Sequence, residues 1–250
     1  HNEEASHYFL LYLVLLLILC HYYKIITCFL LPAPFVTKCK AEDSKCMKKS
    51  AQNCIPIFAA GIPELGVERL DPLNVKQLDA SAAGLSLQMS DLTVTGLKDC
   101  IINKVQRETK QPKIIVKALC NVDVNSKYEM NGRLLVLPIE GKGDSHIVLK
   151  KIVITVEANM ADTIKDGQKF WSIKNFKHSY ELKDQSSITL TNLFNGNEVL
   201  GRAASELISS SSNDIVTEIG PPIVKIIVSK VVENIMHFYD SVPVDELALD

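Results

Sequence analysis

The sequence has no excess of positive charge and almost no tryptophan, and these two absences exclude one large class of function. The 250 residues carry 27 lysines and arginines against 29 aspartates and glutamates, with a single tryptophan. Nucleic-acid-binding proteins concentrate basic residues on one face, and single-strand binders add aromatic side chains on which bases stack. The sequence has neither feature, so we expect no nucleic-acid partner.

Catalytic and metal-binding motifs are also missing. Of the six histidines, only His146, His178 and His237 follow residue 33, and none belongs to an HExxH or HxH pattern. The glycine-containing run at 141–144 lacks the GxxxxGK[ST] spacing of a phosphate-binding loop, so we interpret it as a turn. We therefore expect no metal, no cofactor and no enzymatic activity.

The sequence has instead a strongly apolar beginning. Residues 8–20 form a 13-residue apolar run, which is interrupted by HYYK before the hydrophobicity resumes. The run fits the apolar core of a secretory signal peptide and is shorter than the ~20 residues of a membrane-spanning helix. We predict a signal peptide in residues 1–33, cleaved around residues 28–33, and a secreted domain in residues 34–250. A retained membrane anchor over residues 8–31 is the alternative.

Five of the seven cysteines follow the predicted leader. In an oxidising compartment Cys39 and Cys46 would close a short loop, and their spacing is too long for the CxxC of redox or zinc sites. Cys100 and Cys120 flank a predicted hairpin turn symmetrically, and a second disulfide between them depends on the register of the two strands. We interpret Cys54 as a small buried apolar residue.

The segment that follows the cysteine loop has the pattern of a helix. Asp43 or Ser44 can cap a helix that runs from about residue 45 to residue 60. Pro56 lies inside this segment, so we expect a kink or a tightened last turn there.

Alternating apolar and polar residues then predict a series of strands. They cover residues 84–107, 113–124, 127–139, 146–158, 168–182 and 187–194. Asn131-Gly132 and Asp166-Gly167 are the strongest hairpin turns among the short connections. Strands this close in sequence favour antiparallel pairing, because parallel pairs need long crossovers.

From Asn197 onward the apolar period changes to that of a helix, and it predicts one long amphipathic helix over residues 197–238. Such a helix would be about 60 Å long at 1.5 Å per residue. Gly220-Pro221-Pro222 predicts a kink or short break, and the serine run at 209–212 is a second weak point.

A long antiparallel sheet followed by such a helix favours an α+β fold. A strongly curved antiparallel β-sheet wrapped around the long C-terminal α-helix would bury both apolar faces. Because side chains do not easily fill an elongated wrapped volume, we expect the fold to enclose an elongated hydrophobic tunnel.

Four segments of the sequence carry a family resemblance. The run PFVTKCKAEDSKC together with GIPELGVERLDPL resembles the start of the mature takeout / juvenile-hormone-binding proteins of insects. YEMNGRLLVLPIEGKGDSHIVL resembles the central hairpin of that family, and LTNLFNGNEVLG and VPVDEL resemble its C-terminal part. The resemblance covers essentially residues 34–250. It is nearer to takeout-like members than to the hormone carriers, which have a second disulfide late in the chain, whereas no cysteine follows Cys120 here.

The resemblance implies a lipid-carrier domain over residues 34–250. Its ligand would be a terpenoid, a fatty acid or a hormone-like molecule, and some family members are linked to circadian rhythm, feeding and chemosensation. The alternative for the apolar interior is a core filled with side chains, because an apolar helix face is usually simply packed.

Candidate ligand contacts come from the first helix and its exit, from inward strand positions and from the long helix, and three aromatic residues could contact a ligand headgroup. These residues are Ile57, Phe58, Ile62, Leu65, Leu85, Leu87, Met89, Leu135, Leu137, Ile215, Ile219, Ile223 and Ile227, with Tyr128, Trp171 and Tyr180 as the aromatic candidates.

We therefore expect a secreted, monomeric, non-enzymatic carrier in haemolymph or another extracellular fluid. Its partner would be a small hydrophobic ligand, with no stable membrane insertion after leader cleavage. One alternative is a membrane-tethered protein that presents the same domain through residues 8–31. Another is a lipid-processing enzyme, which would need a nucleophile such as Cys54 beside a base such as His178.

Overall fold

The computed structural model of the chain describes residues 33–82 and 84–250. Residues 35–250 form one compact unit. The predicted leader lies outside the described residues, apart from Ala33, and stays a prediction. Within the described part of the chain, no helix is both long enough and apolar enough to cross a membrane.

In the described part of the chain, seven strands form one antiparallel sheet. They are β1 (Leu73–Asp79), β2 (Leu85–Thr95), β3 (Ile101–Glu108), β4 (Lys113–Leu134), β5 (Leu137–Lys165), β6 (Gln168–Leu182) and β7 (Ser187–Leu190). The long β4–β5 hairpin is the centre of the sheet. β2 and β3 pair with successive parts of the free edge of β4, and β7 and β6 do the same along β5.

Irregularities in the ladders allow these long strands to bend. The register shifts between Cys120 and Val122 in β4 and between Asn159 and Met160 in β5. β4 and β5 have 22 and 29 residues, whereas strands of 3–10 residues are usual. Because β-bulges bend and twist a strand, they let the sheet curve around the helices that pack on its inner face.

Two of the predicted hairpin turns are wrong. Asn131-Gly132 lies within β4, which continues to Leu134, and the run at 141–144 lies within β5. At each site glycine is needed for close packing: a Cβ on Gly132 would lie 2.2 Å from the Gly84 carbonyl oxygen, and one on Gly143 would lie 2.5 Å from the Thr191 carbonyl oxygen.

Other predicted connections are confirmed. The turn at Asp166-Gly167 joins β5 to β6, with Lys165 paired to Gln168. The turn between β3 and β4 lies at residues 109–112, midway between Cys100 and Cys120. β1, which pairs with β2, has no counterpart among the predicted strands.

The first helix, α1 (Ser44–Ala60), agrees with its predicted bounds. The Asp43 side chain is its N-cap and accepts a hydrogen bond from the Cys46 amide at 2.9 Å. α1 packs on β3, and its Gln52 side chain fixes the contact. The Gln52 amide group donates to the Cys100 carbonyl oxygen at 3.0 Å and accepts from the Ile102 amide at 2.7 Å.

The predicted single C-terminal helix is three helices: α2 (Glu198–Ser210), α3 (Ser212–Ile219) and α4 (Pro221–Ser241). The breaks fall at Ser211 and Gly220, which are the two weak points that the sequence indicates. Asn197 caps α2 by accepting a hydrogen bond from the Leu200 amide at 3.1 Å. The helical stretch that the sequence predicts over residues 197–238 is therefore present, and it is divided at the predicted break and at the predicted weak point.

The helices bury their apolar sides against the inner face of the sheet, where one continuous cluster of apolar side chains forms the core. α4 packs on β6 and β1, and α2 packs on β7. Asn234 is the buried polar residue of α4: its side-chain amide donates to the Glu68 carbonyl oxygen at 2.7 Å and accepts from the Glu68 amide at 3.1 Å. This paired contact fixes α4 against the segment that precedes β1.

The close approach at Gly132 generates a testable prediction. Gly132→Ala should reduce the free energy of unfolding by about 3 kcal/mol, because its φ is +134° and the added Cβ meets the backbone of Gly84. Gly167→Ala is the matched control, since its φ is +77° but no atom lies within 4 Å of the added Cβ. The control should cost about 1 kcal/mol in urea unfolding followed by circular dichroism. Equal losses for the two variants would contradict the packing role of Gly132.

Candidate functional site

An apolar cavity of about 370 Å³ lies between the sheet and helices α1 and α4. Its size falls in the range of ligand pockets, which is about 300–1,000 Å³. Its walls are the inner faces of β3, β4, β5 and β6, one side of each helix, and Leu247 and Ala248.

The strand walls follow from the alternation of side chains along a β-strand. Every second residue of β4 from Ile114 to Cys120 lines the cavity, and so does every second residue of β5 from Ile154 to Met160. The registers Val116 to Val156 and Ala118 to Ile154 place the two rows side by side. Ala118 and Ala158 are small, so this part of the inner face leaves a space. Elsewhere on the inner face, larger side chains fill the interior.

The helix walls are also apolar. α4 contributes residues spaced three or four apart, which share one side of the helix. These are Ile227, Val228, Val231, Val232, Ile235, Phe238 and Tyr239. The ring of Phe238 packs against the rings of Phe58 in α1 and Phe35, with centroid distances of 5.1 and 5.9 Å. This aromatic cluster holds α1 against α4.

Two disulfides secure the elements around the cavity. Cys39 is bonded to Cys46 at the start of α1, and Cys100 is bonded to Cys120 with a Cα–Cα distance of 4.4 Å. Cys39, Cys100 and Cys120 also line the cavity. The register of β3 on β4 therefore puts Cys100 and Cys120 on the same face, which was the point that the sequence left open.

Three of the sixteen predicted ligand contacts line this cavity: Phe58, Trp171 and Ile227. The other thirteen are outside its lining: Ile57, Ile62, Leu65, Leu85, Leu87, Met89, Tyr128, Leu135, Leu137, Tyr180, Ile215, Ile219 and Ile223. Most of the thirteen belong to the packed apolar cluster of the core. Their contact with a ligand stays a prediction, because inward-facing residues can line a space or fill it.

Tyr128 and Tyr180 have structural hydrogen bonds. The Tyr128 hydroxyl donates to the Thr191 carbonyl oxygen at 2.6 Å, and the Tyr180 hydroxyl donates to the Val216 carbonyl oxygen at 2.9 Å. Burial raises the pKa of Tyr128 to about 12 and also raises the pKa of Tyr180. Each hydroxyl therefore donates its hydrogen bond from the sheet to a segment that packs on it. Neither proton is available to a ligand headgroup.

The predicted ligand contacts left out the polar residues of the cavity wall, among them Cys54, Arg107 and Tyr239. Arg107 is two residues after Val105, another lining residue of β3, so strand alternation was the signal that could have found it. Cys54 faces the cavity from α1, and its Sγ lies 3.9 Å from the Phe35 carbonyl oxygen.

The lining of the cavity has the chemistry of a binding site. His178, the base of the enzyme alternative, is not among the residues around the cavity that Cys54 lines. Across residues 33–82 and 84–250, no three His, Cys, Asp or Glu side chains are grouped so that they could hold a metal ion. What the cavity offers is apolar surface and a few hydrogen-bond donors.

The state of Cys54 generates a second prediction. Burial raises the pKa of its thiol from 9.0 to about 11, so the thiol stays protonated at pH 8 in the folded protein. A shift of two units lowers the thiolate fraction about 100-fold, and the thiolate is the reactive form. The rate of reaction with Ellman's reagent at pH 8 should therefore be at least ~100 times lower in the native protein than in urea. Equal rates would show that Cys54 is exposed.

Comparisons with known proteins agree with this geometry. The crystal structure of takeout 1 from Epiphyas postvittana has a TM-score of 0.83 and 31% sequence identity to this chain, covering 86% of this chain and 100% of that one. This agreement confirms the predicted curved sheet around the C-terminal helices.

Curated relatives are similar over most of the same region. The circadian clock-controlled protein daywake of Drosophila melanogaster is 27% identical over 229 residues, which is 86% of this chain and 87% of that protein. A putative beta-carotene-binding protein of Schistocerca gregaria is 22% identical over 205 residues, covering 80% of this chain and 82% of that one.

The juvenile hormone-binding protein of Manduca sexta is 27% identical over a shorter stretch of 89 residues, which is 34% of this chain and 39% of that protein. The family model that matches spans nearly the whole sequence, from residue 13 to residue 249, and describes a family of binding proteins and not of enzymes. The chain therefore belongs to the haemolymph juvenile hormone binding protein (JHBP) family, in agreement with the resemblance that its sequence motifs carry.

Proposed function

We propose that the protein is a carrier that binds a small, elongated lipophilic molecule in the cavity between α1, α4 and the sheet. The observation that carries the proposal is the lining: apolar side chains of four strands and two helices surround a space of about 370 Å³. Apolar cavities of this kind bind apolar molecules and exclude water. The names of two relatives refer to juvenile hormone and beta-carotene, which are both lipophilic.

The driving force would be the transfer of apolar ligand surface out of water. Burial of ~300 Å² at about 25 cal/mol per Å² provides roughly 7 kcal/mol before the costs of ordering the ligand. This force depends on area and not on direction, so the carrier should accept related ligands and bind them with a negative change in heat capacity. A tunnel that continues toward the packed half of the sheet would lengthen the site and involve the predicted contacts at Leu87 and Met89.

The setting of the carrier would be extracellular. Two disulfides border the cavity, and such bonds persist in oxidising compartments. We therefore propose secretion after cleavage of a leader within residues 1–33, a monomeric state, and transport in haemolymph or a similar fluid. The name of daywake as a circadian clock-controlled protein supports a proposed link to circadian physiology.

A cavity-filling substitution tests the proposal. Ala158 is on β5 and lines the cavity, so Ala158→Phe would place a ring in the ligand's space. The dissociation constant of the apolar fluorescent probe N-phenyl-1-naphthylamine should rise at least about tenfold, which corresponds to about 1.4 kcal/mol. Fluorescence titration measures the constant, and circular dichroism checks that the variant is folded.

Ala161→Phe is the matched control. Ala161 is on the same strand but three residues further along, so its side chain faces the other side of the sheet. It should leave the probe affinity within about twofold of the original protein, a difference of about 0.4 kcal/mol. An equal effect of the two substitutions, or saturable binding that Ala158→Phe does not weaken, would reject this cavity as the site.

A further inference from the structure

One part of the cavity wall differs from the rest in being polar and charged. Arg107 is the single ionised side chain in the lining that the described residues provide. It lies beside Trp171 of β6, with its guanidinium carbon 5.1 Å from the centre of the indole ring. The Tyr239 ring of α4 stands nearly perpendicular to the same indole, at a centroid distance of 5.5 Å. Three elements therefore bring an arginine, a tryptophan and a tyrosine together at one place in an apolar wall.

The position of Arg107 is built into the fold. β3 directs Val105 and Arg107 to the cavity because they are two residues apart on one strand. The Arg107 side chain is only 12% exposed, so most of it is withdrawn from water. A buried cation is costly unless it is paired, and Asp250 supplies a carboxylate that accepts a hydrogen bond from Nη2.

This pairing leaves most of the hydrogen-bonding capacity of Arg107 unused. A guanidinium has five N–H donors, and among the described residues Asp250 is the only acceptor that they reach. The Tyr239 hydroxyl likewise donates a hydrogen bond to no described residue. Burial and the nearby Cys54 raise the pKa of Tyr239 to about 12, and Arg107 acts in the opposite direction by lowering it. The site is therefore rich in donors, and a ligand group that accepts hydrogen bonds would complement it.

The Asp250 contact indicates which acceptor fits best. It shows that a carboxylate oxygen can reach this guanidinium in the folded protein. Hydrogen bonds between a guanidinium and a carboxylate are charge-assisted and about twice as strong as those to neutral acceptors. An ester or alcohol oxygen would form only the weaker kind.

We propose that Arg107 selects the polar end of the ligand, so that the carrier prefers long-chain carboxylic acids to the corresponding methyl esters and alcohols. The carboxylate would lie against Arg107 and Tyr239, and the hydrocarbon chain would extend along the apolar walls. The Asp250 carboxylate competes with the ligand carboxylate for the same guanidinium and so weakens this preference. The inference deepens the proposed carrier function and rests on it.

The test compares palmitic acid, methyl palmitate and hexadecanol as displacers of N-phenyl-1-naphthylamine at pH 8, where the acid is ionised. The original protein should bind the acid at least about tenfold more tightly than the ester or the alcohol. Arg107→Gln should reduce this ratio to near one and leave the affinity for the ester within about twofold. Asp250→Asn should strengthen acid binding about threefold, because it removes the competing carboxylate.

Lys165→Gln is the matched control. Lys165 is also a cation near an aromatic ring and pairs with Asp240, but it lies outside the cavity lining. It should leave the acid-to-ester ratio unchanged. The Asp250 side chain is more exposed than that of Arg107, so Asp250→Asn can still test the proposal if Arg107→Gln does not fold.

The outcomes separate the two proposals. Equal affinities for acid and ester, or an unchanged ratio in both Arg107→Gln and Asp250→Asn, would overturn the role of Arg107 while leaving the carrier function intact. Failure of every lipid to displace the probe, or failure of the probe to bind, would overturn the carrier function and this inference with it.

Discussion

The structure depends on one constraint: a single long antiparallel sheet has an apolar inner face that must be buried. The β4–β5 hairpin provides most of this face, and α2, α3 and α4 cover it with their own apolar sides. Where the inward residues are large, as at Leu87 and Met89 of β2, the interior is packed. Where they are small, as at Ala118 and Ala158, the same face leaves a cavity. Packed core and candidate binding site therefore share one alternating pattern, and small residues such as Ala118 and Ala158 contribute to the space between the walls.

The elements around the cavity are held by bonds that do not depend on a ligand. The Cys39–Cys46 disulfide and the Asp43 cap fix the start of α1, and Gln52 ties the middle of that helix to β3. These restraints fix the position of α1, which forms one wall of the cavity. A preformed site lowers the ordering cost of binding, which suits the proposed carrier function.

Periodicity predicted α1, most of the sheet and the C-terminal helical stretch, because burial of an apolar face imposes a period of two or of 3.6 residues. The weak points of that stretch were predicted from Gly220-Pro221-Pro222 and the serine run instead. Glycine was misread at Gly132 and Gly143: local pattern cannot distinguish a turn from a strand position where another backbone passes close to the glycine. The sequence predicted the cavity lining only in part. Phe58 and Ile215 both face inward, but Phe58 lines the cavity and Ile215 is packed in the core. Arg107 was missed because its proposed role depends on its contact with Trp171 and the nearby Tyr239, which are distant from it in sequence.

The central claim is that the cavity holds one lipophilic molecule per chain, and native mass spectrometry of the protein secreted from insect cells tests it most directly. The account predicts a mass that exceeds that of the folded chain by one small molecule, which organic extraction releases and identifies as a lipid. A bare chain mass, with no added mass after incubation with long-chain terpenoids and fatty acids, would contradict the account and leave the cavity without a ligand.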